Sequence, residues 1–268
     1  MKAVARAALG LALLPLIACA PKPHVQVAAP AGPWSSLFDG KDLDGWTVKI
    51  AGHPAGENYR NTFRVENGML AVSYADYDRF DNRFGSLFTK QKFSHYWLRA
   101  EYRFVGDQVA GAPGWAFRNS GLQLHSQAPE TMRQDQDFPV SVEFDLVGGR
   151  FWGHHPTGDV CQNGTRVRIQ GAPVPGQCSK VSDITVPGDA WVTVLAEVRG
   201  SERVRQIVNG ALVVEYTDVT LDPADPDARA LAGAVPSAGP VPLGSGAISI
   251  QANSHPIEFR RIEVLPID

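Results

Sequence analysis

Val142-Glu143-Phe144-Asp145-Leu146 reads apolar, acidic, apolar, acidic, apolar. In a β-strand successive side chains point to opposite faces, so Val142, Phe144 and Leu146 share one side and both carboxylates share the other. The same period of two recurs on either side of this stretch. In Gly121-Leu122-Gln123-Leu124-His125 the leucines face one way and Gln123 and His125 the other. Val192, Val194, Ala196 and Val198 make one face of a further strand, with Thr193, Glu197 and Arg199 largely opposite. Ile248, Ile250 and Ala252 alternate with Ser249, Gln251 and Asn253, and Glu258 to Val264 makes a last strand. Val204 to Val214 carries Asn209-Gly210 between apolar flanks, the strongest short hairpin signal. No long segment has helical spacing, and only Asp225 to Ala232 reads as a short turn of helix. Many strands without βα alternation predict an all-β domain, a two-sheet sandwich or barrel.

The chain has 268 residues, 44% of them hydrophobic and 20% charged, which excludes whole-chain disorder or coiled coil and is enough for a full core. A net charge of −3 leaves no basic footprint, so nucleic acid is not an expected partner.

The first 33 residues read as an address rather than as part of the fold. Lys2 and Arg6 precede an apolar run, Ala7 to Ala18, too short to cross a bilayer. Leu16-Ile17-Ala18-Cys19 resembles the bacterial lipobox, in which the cysteine is lipidated and becomes the first mature residue. The expected organisation is a signal peptide at 1–18, a lipidated Cys19 with a flexible Ala/Pro/Val-rich tether at 19–33, and one domain at 34–268. Loss of Lys2 and Arg6 takes the net charge from −3 to −5, so lipid rather than charge would hold the protein at a membrane. Ala20 after the cysteine, by resemblance, suggests the outer membrane. In that oxidising compartment Cys161 and Cys178 are expected to form a disulfide, since their spacing matches no zinc pattern.

A strand with one apolar face gives its other face to solvent or to a groove. The second faces here hold Gln123 with His125, Glu143 with Asp145, and Gln251 with Asn253. If those strands neighbour one another, two carboxyls, an imidazole and several amides share a surface. That inventory suits sugar hydroxyls, with Trp115, Trp152 or Tyr96 as an aromatic platform. Glu143-Phe144-Asp145 also resembles the start of the E-x-D-x-x-E motif of laminarinase-type glycosidases, but Gly148 stands where the second glutamate belongs. Double displacement with two glutamates is therefore not expected.

Ser36-Leu37-Phe38-Asp39-Gly40-Lys41-Asp42-Leu43-Asp44-Gly45-Trp46, Phe63 to Leu70, Asn119-Ser120-Gly121-Leu122, Gln206 to Gly210, Ile248 to Gln251 and Ile257 to Ile262 succeed one another in the order and spacing of a known family. From Trp34 to Ile267 the chain resembles the 3-keto-disaccharide hydrolase domain family. It departs at Asp145, where the family commonly has Gln, and at Arg261, where it has Asn. The resemblance implies a concanavalin A-like jelly roll of two curved antiparallel sheets with a concave sugar-binding face. It also implies cleavage of 3-keto-glycosides: a base takes the C2 proton, the C1 substituent leaves by β-elimination, and water adds to the product. The expected base is Glu143, with His125 as the second candidate, and Asn119, Gln123, Asp145, Gln251 and Trp152 as substrate contacts. Asp145 beside Glu143 should raise one carboxyl pKa. No cofactor is expected. A divalent ion at His154, His155 and Asp159, or calcium at Asp76, Asp78 and Asp81, is the lesser alternative, because adjacent histidines diverge on an extended chain and Phe80 interrupts the acidic stretch. The expected partners are an oligosaccharide or glycoside substrate and a membrane reached through the lipid. The rival functions are a non-catalytic carbohydrate-binding lipoprotein and a structural envelope lipoprotein.

Overall fold

The structure is a computed structural model and describes residues 24–149, 155–233 and 239–267. It is a sandwich of two antiparallel sheets, as the alternation predicts. The smaller sheet runs, edge to edge, Trp46–Ile50, Gly85–Phe93, Gly246–Ala252, Asn119–Ser126, Ser141–Val147 and Val160–Asn163. The larger, ten-stranded sheet runs Ala172–Pro173, Thr165–Ile169, Ala211–Leu221, Arg203–Val208, Val192–Arg199, His95–Phe104, Ile257–Pro266, Met69–Val72 and Phe63–Glu66, with Ser35–Ser36 also paired to Ile257–Pro266. The C-terminal segment thus returns to the interior of both sheets. Gly246–Ala252 inserts beside Asn119–Ser126 in one, and Ile257–Pro266 beside His95–Phe104 in the other. That crossover brings Gln251 close to the acidic strand.

Facing sides of the two sheets supply one core. Leu122, Leu124, Val142, Phe144, Leu146, Ile248 and Ile250 come from the smaller sheet, and Leu98, Tyr102, Val194, Val198, Phe259 and Ile262 from the larger. Each such side chain contributes roughly 1.5–3 kcal/mol by leaving water, so the face pointing outward from the smaller sheet is free to be polar. Asn209 (φ 47°) and Gly210 (φ 84°) make the predicted two-residue hairpin turn. Pro226–Ala232 is the predicted helix, its first turn capped by Asp225 Oδ1 accepting from the Asp227 and Ala228 amides at 2.9 and 2.8 Å.

Of the N-terminal expectation, only residues 24–33 of the tether are described. Residues 1–18 and Cys19 lie outside the described residues. Residues 24–33, read as a flexible tether, instead run across the outer side of the larger sheet. Val27 N–H donates to the Gly210 carbonyl at 2.8 Å and Leu212 N–H to the Val25 carbonyl at 2.9 Å. His24 Nε2 meets Asp183 at 3.0 Å, and Arg99 stacks over Trp34 at 4.3 Å. Val27 and Trp34 cover a second apolar cluster of Trp97, Leu195, Ile207 and Leu265. Those residues sit between the core-facing positions of their strands, and an Ala/Pro/Val-rich segment without periodicity of its own is what conceals them from water.

Candidate functional site

Strand register brings the polar residues together. Asp145 lies opposite Gly121 and Glu143 opposite Gln123 on one side, while Glu143 faces Cys161 on the other. Ser249 lies opposite Gln123, so Gln251 flanks Gly121 from the far side. Gly121 is what lets Glu143 reach that far. A Cβ there would collide with Glu143 Oε1 and come within 2.6 Å of its Cδ and 2.7 Å of its Cγ. The glutamate therefore lies across the bare backbone, and its Oε2 accepts from Gln251 Nε2 at 3.1 Å and from Asn163 Nδ2 at 2.6 Å.

Amides link this carboxyl to the second one. Asn119 Nδ2 donates to Asp145 Oδ1 at 3.0 Å, and Asn253 Nδ2 donates to Asn119 Oδ1 at 2.6 Å and also to Gln251 Oε1. Gln177 Nε2 donates to Asn163 Oδ1 at 3.4 Å. Gln177 is held there by the Cys161–Cys178 disulfide, which forms as expected, and by its carbonyl accepting from Gln162 N–H at 2.7 Å.

The result is a pocket of about 390 Å³ lined by Glu143 and Asp145, the amides of Asn119, Asn163, Gln177, Gln251 and Asn253, the disulfide, and two aromatics, Trp115 and Phe138. No lysine, arginine or histidine lines it among the described residues. Trp115 is 54% exposed although large and apolar, and it stacks on Phe84 at 5.6 Å and 13°. The tryptophan plane is fixed from behind and open in front.

Burial sets the electrostatics. Removal from water pushes the Glu143 carboxyl up to about 7, against the pull of hydrogen bonds from Asn163, Gln251 and Gln123. Asp145 is pushed well above the ordinary carboxylate range, by burial first, then by the charges of Glu143 and Asp159, with Asn119 pulling the other way. Two carboxyls this close share protons as a pair. Ligand atoms of Glu143, Asp145 and Cys161 all lie within 4.8 Å of one another. Because the Cys161 sulfur is bonded to Cys178, that donor set reduces to two carboxyls.

The expected residues divide. Asn119, Glu143, Asp145 and Gln251 line the pocket. Gln123 lies below it, fully buried, its carbonyl accepting from the hydroxyls of Ser86 and Ser249 at 2.9 and 2.8 Å. His125 is elsewhere. Its φ is +53°, at a break in register with Gly246–Ala252, so the strict alternation that would have kept it beside Gln123 fails. The ring turns into the core, edge-on to Tyr96 at 6.2 Å, with Nε2 on the Gly200 carbonyl at 3.1 Å. Burial pushes its pKa down to about 4, so it is a neutral core residue. Tyr96, read as a platform, is fully buried in the same core. Trp152 and His154 lie outside the described residues. Asp159 Oδ1 accepts from Ser179 Oγ at 2.7 Å, Val181 N–H at 2.9 Å and Ser182 N–H at 3.2 Å, anchoring the segment that comes after the disulfide. Asp76, Asp78 and Asp81 each face an arginine, Arg64, Arg60 and Arg79. Asn163, Gln177 and Phe138 were not legible as site residues. Asn163 shares the face of Cys161 at period two, a usable signal only once the pairing of that strand with Glu143 is known.

Comparison with known proteins agrees with this architecture. A family model described as a 3-keto-alpha-glucoside-1,2-lyase-like domain matches residues 33–265. Among solved structures, a presumed glycosyl hydrolase from Parabacteroides distasonis is similar at a TM-score of 0.53 and 17% identity, over 88% of this chain and 94% of that one. The carbohydrate-binding module CBM66 from Bacillus subtilis aligns at a TM-score of 0.46 and 12% identity, over 86% and 98% of the two chains. A β-glucanase of Bacillus licheniformis aligns at 0.46 and 10%, over 89% and 100%. No curated protein sequence matches the chain.

Proposed function

The chain belongs to the 3-keto-alpha-glucoside-1,2-lyase-like domain family, and from that premise we propose that it cleaves uncharged 3-keto-glycosides by elimination, with Glu143 as the base. The observation that carries this is the state of Glu143: a buried carboxyl poised near pH 7, held by neutral amides over Gly121 and facing a pocket. A general base works best with a pKa near the operating pH.

The steps balance without a second glutamate. Glu143 takes the proton from C2, and the C–H electrons move to C2–C3 as an enolate on the 3-oxygen. The enolate collapses to a C1=C2 double bond as the C1–O bond breaks. The departing oxygen takes a proton from Asp145, whose raised pKa keeps one available. Water then adds across C1=C2 and leaves the free 3-keto sugar. Each amide NH₂ has two N–H donors. Asn119, Asn163 and Gln251 each spend one inside the network, so each keeps one for a hydroxyl or for the enolate oxygen. Trp115 offers the stacking face a sugar ring needs. The lack of any lining cation among the described residues supports a neutral sugar, since a phosphate or uronate would meet two acids unpaired.

The test compares release of glucose-type products from 3-keto-trehalose and methyl 3-keto-glucoside by the protein and by Glu143→Gln. Turnover by the first and loss of about 10²–10⁴-fold in the second are expected. Saturable binding by both without turnover in either would replace this reading with a non-catalytic carbohydrate-binding module. Lipidation at Cys19 is part of the same proposal. With residues 24–33 docked on the sheet, only residues 20–23 would separate the lipid from the domain. Cys19→Ser should release the protein from the membrane fraction, and retention there would refute the anchor.

A further inference from the structure

Beyond the polar pocket lies a second concavity of about 610 Å³, walled by Ile169, Pro173, Pro175 and Val181, with Lys180 its one charged lining residue among those described. Exposed apolar surface gathered in a groove marks a place that something apolar covers. Val181 is 47% exposed, yet its backbone is fixed, because its N–H and that of Ser182 both donate to Asp159 Oδ1. The groove is a prebuilt wall rather than a loose loop.

Cys178 lines both this groove and the polar pocket. The segment carrying it extends the smaller sheet by one more edge, with Cys178 paired to Cys161 and the Gln177 carbonyl to Gln162 N–H. Gln177 turns to the pocket and Gly176 lines the groove. A ligand crossing that single chain, about one strand spacing of roughly 4.8 Å, passes from carboxyls and amides onto prolines and valine. In a glycoside the C1 oxygen leads out of the sugar and carries the leaving group.

The geometry points to a leaving-group subsite in this groove, selecting glycosides whose aglycone is an alkyl chain or similar apolar body. This rests on the elimination reading and adds the identity of the departing half. Primary alkyl leaving groups have nearly equal acidity, so a series of 3-keto-glucosides from methyl through butyl and hexyl to octyl varies burial and not chemistry. Each methylene buried in the groove should raise kcat/KM about fourfold, the equivalent of about 0.8 kcal/mol, until the groove is full. Val181→Asp should flatten the octyl-to-methyl ratio. A flat series in the native protein, or a ratio indifferent to Val181→Asp, overturns the subsite. A steep series seen only after residues 1–23 are removed also overturns it, because those residues would then be the groove's occupant. If no member of the series is turned over, the elimination reading fails instead. Binding of methyl, hexyl and octyl glucoside to Glu143→Gln then still reads the groove, by the same rise in affinity with chain length.

Discussion

Glu143→Gln should stabilise the fold at the pH where it abolishes activity. The ordinary glutamate value is 4.5, and in the folded chain burial lifts Glu143 to about 7. A raised folded pKa means that the native state prefers the protonated form. Below about 4.5 the carboxyl is neutral whether the chain is folded or not, and the native state carries no penalty from it. As pH rises through 7 the folded carboxyl must ionise in a site with no lining cation among the described residues, and that stability is lost. The gap between the two values corresponds to about 3 kcal/mol at pH 8. Glutamine never ionises, and its carbonyl can still accept from Asn163 and Gln251 as Glu143 Oε2 does. Urea unfolding of both proteins at pH 4.5, 6, 7 and 8 should therefore show a difference near zero at the first and about 3 kcal/mol in favour of the variant at the last. Titrations away from the pair cancel in the difference, and Asp145, relieved of the Glu143 charge in the variant, can only widen the gap at pH 8. A gap that does not change with pH, or a variant less stable at pH 8, would refute the claim that Glu143 is held ionised at a cost.

Activity should track the same group with the opposite sense: kcat/KM on a 3-keto-glucoside rises with pH through about 7 and holds only while Asp145 keeps its proton, and a flat profile from pH 5 to 8 would remove Glu143 as the base. Gly121→Ala should lower kcat by roughly 10²-fold, the scale of an ångström-level misplacement, because the new Cβ forces the Glu143 carboxyl off both of its amides. Its melting temperature should stay within a few degrees, and full activity in this variant would show that the carboxyl need not lie there. Trp115→Ala should raise KM about 2- to 10-fold with little change in kcat or stability, since the ring is half out in solvent; a kcat effect alone would mean that it does not stack on substrate. Replacing both Cys161 and Cys178 by Ser opens a loop of 17 residues, costing about 3 kcal/mol on the chain-entropy model, and weakens substrate binding through Gln177. Unchanged denaturation midpoints would contradict the first part.

Fold legibility came from period two. Val142 to Leu146 alternates so cleanly that its buried face could be named residue by residue, Val192 to Val198 does so but for Leu195, and the Asn209-Gly210 turn fixed one hairpin outright. The site was legible only as far as alternation could carry it. Glu143, Asp145, Gln251 and Asn119 are where a period of two puts them. His125 is not, because a left-handed residue at a register break reverses its side, and nothing in Gly121 to His125 announces that break. Asn163 and Gln177 depend on which strand lies beside Glu143, a long-range fact that no local pattern holds. The segment at 24–33 failed for a related reason: it makes no stripe of its own, and what orders it is the apolar cluster of Trp97, Leu195, Ile207 and Leu265 on another part of the chain.

A second glutamate in the same fold shows what its neighbours contribute to the poise of Glu143. Glu197 is as little exposed as Glu143, 4% against 5%, but it lies shallower in the protein, so burial penalises its charge less. Burial pushes Glu197 upward too, but hydrogen bonds from Arg199 and Arg205 and the charge of Arg203 outweigh it, and the carboxyl ends below its ordinary value. Its oxygens meet Arg199 at 2.9 Å and Arg203 and Arg205 at 3.0 Å each. That is a carboxylate locked in its charged form on the outer side of the larger sheet, suited to holding strands together and too weak a base to take a proton from carbon. At Glu143 the three arginines are replaced by amides, which hold the carboxyl in place with their dipoles but cannot neutralise it. An amide fixes position and an arginine fixes charge. A base that must both stay put and change its protonation state in each turnover needs the first without the second, and a pocket with five lining amides and no lining cation among the described residues provides that combination.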